Sequence, residues 1–383
     1  MSSGGAAPHG QPRGQPRGQP RHPELALWAA NVGGPVALDG APPARVPLAG
    51  LTVLSWNVAI GRARVDELLD RLAYGAFDEA LGRAVTDASR PLVLLLQEAY
   101  RAGGGVPPDP RGAHHGGQHP GAQHPHRTDI VALAGQRALS LRYAPSMRNG
   151  RHASDRGNAI LATVALGSQD AVLLPYIRQR RVAVRAEIMD VEGVALCSAH
   201  LDTRGQPRRG HGGPRYLGSF GAGRAAQAAA LAAALGNAHA GKEQAVPGAE
   251  GQGANSVAAP GREEFGAERM AAGGAAAPGG GPGASDAPAL LLGADLNSYL
   301  GALDPALAPL RGIGLREGAR LARWWHTYHR GRLRLPLDHL LWAPGEGVIQ
   351  AVRVVRLDER PGDRGARVFG SDHHPLLADV RLA

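Results

Sequence analysis

The sequence predicts an α/β fold in one strand-rich domain, and three observations carry that expectation. Short apolar runs such as Leu290-Leu291-Leu292 read as strands covered on both faces. Two further runs, at 51–58 and 91–98, enclose a stretch with helical spacing, which gives a strand-helix-strand order. Setting aside the N-terminal 50 residues and two low-complexity stretches leaves about 250 residues, the size of one domain rather than two.

The 383 residues carry a net charge of +9, which favours polyanionic partners without choosing among nucleic acid, anionic lipid and small phosphates. The single cysteine, Cys197, excludes an internal disulfide framework and a multi-cysteine zinc site; inside an apolar run it reads as a plain buried residue. No apolar run approaches the length of about 18 residues that a membrane helix needs, and no apolar secretory core follows the N-terminus. A soluble, intracellular, cytoplasmic protein is the expectation.

Residues 1–23 contain three tandem Gly-Gln-Pro-Arg units and nothing to bury, so they predict a disordered tail. After Pro42-Pro43, residues 51–58 form the first strand, with Asn57 close to its end. Apolar positions from Val65 to Leu81 recur at helical spacing, and 91–98 is a second strand closed by Gln97 and Glu98. Residues 101–127, rich in Gly, Pro and His, predict a disordered insertion; a His-rich tract can also bind transition metals. A polar turn at 155–158 then leads into a strand. Residues 181–188 alternate like a half-buried strand, and 194–202 form another, carrying His200. Alanine-rich 224–235 predicts a helix, and Gly/Ala/Pro-rich 236–288 a second disordered insertion. Strands at 290–297, 335–342, 352–357 and 376–382 complete the domain.

Several of these strands end in groups suited to a metal or a phosphate. In extended chain, residues i and i+2 share a face, so Asp295 and Asn297 stand side by side beyond the three leucines. Taken alone, that pair is equally an Asx turn closing a core strand. Asn57, Glu98, His200, Asp338, Asp372 and His373 occupy comparable ends. Hard cations take carboxylate and carboxamide oxygens, and paired histidine and aspartate suit acid-base work on a phosphoryl group.

At this point the motifs SWNV at 55–58, LLQE at 95–98, RGNAIL at 156–161, SAHLD at 198–202, GADLN at 293–297, LDHLL at 337–341 and GSDHHPL at 370–376 resemble the endonuclease/exonuclease/phosphatase superfamily. Those are the Mg²⁺-dependent phosphohydrolases related to DNase I and neutral sphingomyelinase. The resemblance implies a four-layer α/β sandwich, in which two mixed sheets face each other and helices cover the outside. It implies metal ligation by Asn57, Glu98 and Asp372, with Mg²⁺, or Mn²⁺, held chiefly by Glu98. Asp295 would orient or deprotonate the attacking water, Asn297 would hold a phosphate oxygen, and Asp338 would polarise a catalytic His373. His200 would donate to the phosphate or protonate the leaving oxygen. Histidine in SAHLD argues against the abasic-site branch of the superfamily.

Three readings of function remain: a nuclease-like phosphodiesterase, a phospholipid or small-molecule phosphohydrolase, and a binding module that keeps the fold. Arg178, Arg180, Arg181, Arg204, Arg208 and Arg209 favour a nucleic-acid substrate, or form solvated surface. His339 and His374 should face away from the site. Trp324-Trp325 with His326 and His329 is either a substrate wall or a packed cluster. Asp202 reads as a turn cap, and Asp155-Arg156 as a phosphate contact or a surface ion pair. No stable membrane insertion and no protein partner are expected.

Overall fold

The computed structural model describes residues 23–103, 105–108, 127–149, 153–203, 221–240, 289–321, 326–359 and 368–383. The tail apart from Pro23, the five-histidine tract, Arg204, Arg208, Arg209, Trp324 and Trp325 lie outside the described residues.

The elements run α1 (Pro23–Ala30), β1 (Val36–Asp39), β2 (Gly50–Asn57), α2 (Val65–Ala73), α3 (Asp78–Leu81), β3 (Leu92–Ala102), α4 (Ile130–Gln136), β4 (Ser140–Arg148), β5 (Ser154–Ala162), β6 (Leu166–Leu173), β7 (Val182–Ile188) and β8 (Val194–His200). They continue with α5 (Ala222–Ala240), β9 (Ala289–Asp295), α6 (Leu307–Gly312), β10 (Arg316–Glu317), β11 (Ala319–Arg320), β12 (Tyr328–Arg330), β13 (Leu333–Leu335), β14 (Asp338–Pro344), β15 (Ile349–Arg356) and β16 (Leu376–Leu382).

Eight strands form one sheet in the order β1-β4-β5-β3-β2-β16-β15-β11, six form a second in the order β10-β14-β9-β8-β7-β6, and β12-β13 is a separate hairpin. At the centre of each large sheet two strands run parallel, β2 with β3 and β8 with β9. A parallel pair needs a crossover, and the crossover helices lie on the outer faces. Three apolar clusters follow from this. One lies between the sheets and includes Leu51, Val53, Leu95, Leu196 and Leu291. A second packs the eight-stranded sheet under residues of α2, α3 and α4, including Leu68, Leu81 and Ile130. The third packs the six-stranded sheet under α5 and α6 through Leu231 and Leu307. The result is the four-layer sandwich expected, with each fully buried leucine stabilising by roughly 1.5–3 kcal/mol.

Local departures from expectation have physical causes. The helix expected over 65–81 breaks at Gly75, whose φ of +75° is left-handed, and resumes as α3. β7 is buried on both faces rather than half-buried, because Arg185 hides its charge against Asp170 and Glu187. The segment at 155–158 is strand, not turn. Asp155 is fully buried there, paired with Arg101 and accepting from the Tyr143 hydroxyl at 2.8 Å and the Gly33 N–H at 2.9 Å. β3 runs on to Ala102 and α5 to Ala240, so the first residues of each expected insertion are strand or helix, and most of the rest of both lies outside the described residues. Pro23 opens α1 rather than ending a tail. Among the described residues, no helix is long and apolar enough to cross a membrane.

Candidate active site

The site grows from the register of β9. Asp295 pairs with Asp338 on antiparallel β14 and with His200 on parallel β8, so three polar residues sit abreast at one end of the six-stranded sheet. The face they share is set two residues earlier. A Cβ on Gly293 would meet Ser55 Oγ at 2.6 Å and Leu95 Cβ at 2.7 Å, so this position faces the other sheet, and Asp295 faces it too. Asn57, at the end of β2, closes the gap by donating its Nδ2 hydrogen to Asp295 Oδ2 at 2.8 Å.

Around Asp295 the other groups assemble. His200 Nε2 lies 3.4 Å from Asp295 Oδ2, and His200 Nδ1 lies 4.0 Å from Glu98 Oε1. Asn297 gives its backbone N–H to Asp295 Oδ1 at 3.0 Å and its side-chain N–H to the Leu201 carbonyl at 3.0 Å. His373 Nδ1 faces both Asp338 oxygens, at 2.8 and 3.1 Å, which aims Nε2 at Asp295 Oδ2, 4.0 Å away. The loop carrying His373 is pinned to β2: Ser371 donates to the Asn57 carbonyl at 2.7 Å, and the Trp56 indole donates to the His373 carbonyl at 2.9 Å.

Two site residues hold left-handed backbone without being glycine, Glu98 at φ +53° and Asn297 at φ +50°. Glu98 falls in the bulge between Leu96 and Ala99, where the ladder to β5 slips and turns its side chain into the site.

Charge is unevenly placed. Burial first, and then the neighbouring Asp338, push the Asp295 carboxyl up to about 7 against the hydrogen bonds from Asn57 and Asn297. Burial alone would lower His373, but the Asp338 carboxylate outweighs it and carries the imidazole to about 10. His200 goes the other way, well below the usual range, through burial and then the charges of Arg181, His373 and Arg156. One histidine is thus poised charged and the other neutral.

Of the eight predicted site residues, Asn57, Glu98, His200, Asp295, Asn297, Asp338 and His373 join one chain of contacts. Asp372 enters less directly. Its carbonyl accepts from the His329 N–H at 2.9 Å, and its charge bears on His373 and Tyr328. His339 faces Ser298 and Glu317, and His374 faces Asp358 and His329. Asp202 caps the turn at Arg178 and Gln179, accepting both N–H groups. The arginine cluster expected to face a polyanion is partly inward: Arg181 is 4% exposed, and Arg180 donates to the carbonyls of Pro145 and Ser146.

The endonuclease/exonuclease/phosphatase family model matches residues 54–373. The chain belongs to that family. No match was found among curated protein sequences. Among solved structures it is similar to the catalytic domain of human nocturnin, at 14% identity, over 91% of this chain and 97% of that one, with a TM-score of 0.44. A second is an endonuclease/exonuclease/phosphatase from Beutenbergia cavernae, at 16% identity over 88% and 72% of the two chains, TM-score 0.43. A third is TDP2 from Caenorhabditis elegans, at 15% identity over 86% and 74%, TM-score 0.40.

Three residues of this family member place ligand atoms within 4.8 Å of one another, Asp295, Asp338 and His373, a set able to hold a cation. Sequence reasoning missed two contributors, Gln97 and Tyr328, and read a third, Arg181, as facing a polyanion or solvent. Gln97 is fully buried and joins the sheets, donating to Gly293 O at 3.1 Å and Ser198 Oγ at 3.2 Å. Tyr328 lays its ring 4.8 Å from that of His373. Arg181 brings a buried charge near Glu98 and Asp295. Gln97 left a signal as a polar residue ending an apolar run, and Arg181 as one of a group of arginines; Tyr328 left none.

Proposed function

We propose that this family member is a divalent-metal-dependent phosphoesterase that hydrolyses a phosphodiester by in-line attack of water. The observation that supports this most is Asp295, a buried carboxylate between a neutral His200 and a charged His373, with Asn57 reaching it from the opposite sheet.

The residues fit a hard cation. Glu98 turns a half-buried carboxylate into the site from a strained backbone, an oxygen donor of the kind such an ion takes. Glu98, Asn57 and Asp372 would hold Mg²⁺ or Mn²⁺ through oxygen. Asn57 Oδ1 already accepts the Ala59 N–H at 3.0 Å, and a carboxamide oxygen keeps a second lone pair for a metal. When bound, such an ion neutralises charge on the phosphoryl oxygens.

The chain's own residues supply the rest. Asp295 accepts a proton from the attacking water. His373, kept charged by Asp338, donates Nε2–H to a phosphoryl oxygen. His200, neutral, donates a hydrogen bond to the phosphate, and the leaving oxygen takes up its proton from water. Asn297 keeps one side-chain N–H for a phosphate oxygen. The test is hydrolysis of bis-p-nitrophenyl phosphate by purified protein in Mg²⁺, in EDTA, and by Glu98→Ala. Turnover abolished by both changes supports the reading, and EDTA-resistant turnover overturns it.

A further inference from the structure

Behind the site, three polar side chains meet that the proposed chemistry leaves idle. Along β14, Leu340 packs between the sheets and Leu341 under the outer helices, so Asp338 faces inward and His339 outward. There Ser298 Oγ donates to the Pro336 carbonyl at 2.7 Å and lies 2.5 Å from His339 Nε2, while His339 Nδ1 lies 3.0 Å from Glu317 Oε1. A hydroxyl has one hydrogen and a carbonyl only accepts, so Ser298 gives its hydrogen to Pro336 and takes one from His339 Nε2. Glu317, on the edge strand β10, orients the ring from the other side. Its carboxyl is held down to about 2, chiefly by the hydrogen bond from His339.

Serine, histidine and carboxylate in this order are the groups of a serine hydrolase, but Ser298 is fully buried and its hydrogen is committed, so no substrate meets it. What the trio holds is the turn after β9. Asn297 stands at φ +50°, a left-handed conformation that a non-glycine residue keeps only when its surroundings fix it. On one side the turn is tied by the Asn297 N–H to Asp295, and on the other by Ser298. Pro336 and His339 lie on either side of Asp338 in the chain. Ser298 is therefore bound to the strand that carries Asp338 and, through it, to His373.

We propose that His339 is a positioning residue: through Ser298 it fixes the Asn297 turn against β14, and so sets the spacing between the Asn297 carboxamide and the Asp338–His373 pair. This rests on the phosphodiesterase reading, in which those two groups grip one phosphoryl group, and adds the residue that holds them in register. His339 touches neither substrate nor metal, and its effect on turnover runs through Asn297.

Turnover of bis-p-nitrophenyl phosphate in Mg²⁺ is measured for His339→Leu, Ser298→Ala and His339→Gln, each alone and combined with Asn297→Ala. His339→Leu and Ser298→Ala should lose about tenfold or more in kcat with KM within about twofold, since the defect is one of geometry. His339→Gln keeps a donor for Ser298 and should retain most of the rate. Combined with Asn297→Ala, the same substitutions should cost little further, because residues that act as a unit are not additive. Fully additive losses overturn the proposal, and so does a His339→Gln no better than His339→Leu. Should His339→Leu fail to fold, Ser298→Ala carries the same comparison. Amide exchange reads the anchor apart from turnover: in Ser298→Ala, residues 296–300 should exchange about tenfold faster while β2 keeps its wild-type protection. Unchanged exchange overturns the proposal. Wild type inert toward the diester would sink the phosphodiesterase reading and leave exchange to decide whether the trio holds the turn, whereas active wild type with additive losses sinks the positioning role alone.

Discussion

Asp295 has both oxygens engaged before any substrate arrives, Oδ1 by the Asn297 N–H and Oδ2 by Asn57. The proposed role of Asp295 as base makes Asp295→Asn costly, and the proposed role of His373 makes His373→Ala equally so. Each should lower kcat/KM by roughly 10²-fold or more while circular dichroism stays native. The same residue predicts a pH effect in metal-free protein. Its folded pKa of about 7 lies above the ordinary 3.8, so its contribution to stability is present in full below pH 3.8 and is lost as pH rises to about 7. Melting temperature in EDTA should fall across that window more in wild type than in Asp295→Asn; equal slopes would refute the raised pKa. Residue identities at strand ends were legible because apolar runs stop at polar pairs. Tyr328 was not, because it ends no apolar run, and Arg181 was singled out but read as outward-facing, because its place depends on how distant segments pack.

At the scale of elements, the β3 bulge and the close approach at Gly293 are what bring two sheets to one site. Glu98→Gly should be more stable than Glu98→Ala by about 1 kcal/mol in urea titration, since only glycine takes the left-handed backbone freely. Gly293→Ala places a methyl against Ser55 and Leu95 and should cost roughly 1–3 kcal/mol. If it unfolds at the wild-type midpoint, the sheets are not in contact there. Apolar strands such as β2 and β9 were readable from composition alone. β4 was not, because Arg142 and Pro145 interrupt its pattern. The structure accommodates them by bonding Arg142 to the carbonyls of Leu38 and Gly167 and by a bulge after Pro145.

For the whole molecule, the sandwich is closed by strands drawn from both ends of the chain, with β16 beside β2. The long connection between α5 and β9 adds to the loop these elements close. Doubling such a loop costs only about 0.6 kcal/mol. Replacing residues 241–288 by a short Gly/Ser linker should therefore leave the melting temperature within a few degrees, and a large fall would show that the segment supports the core. The α/β class was legible because strand, helix and strand alternate along the chain. The two facing sheets were legible only through the motifs' resemblance to the family, since no local pattern encodes how sheets stack.

The bond from Asn57 to Asp295 spans 238 positions, and the Trp56–His373 bond spans 317. Contacts so remote in sequence form late, after most of the chain has been gathered. A half-folded chain, or a nascent one lacking β16, therefore has no working centre at all. On dilution from denaturant, catalytic competence should return in step with the slowest refolding phase, and never ahead of it.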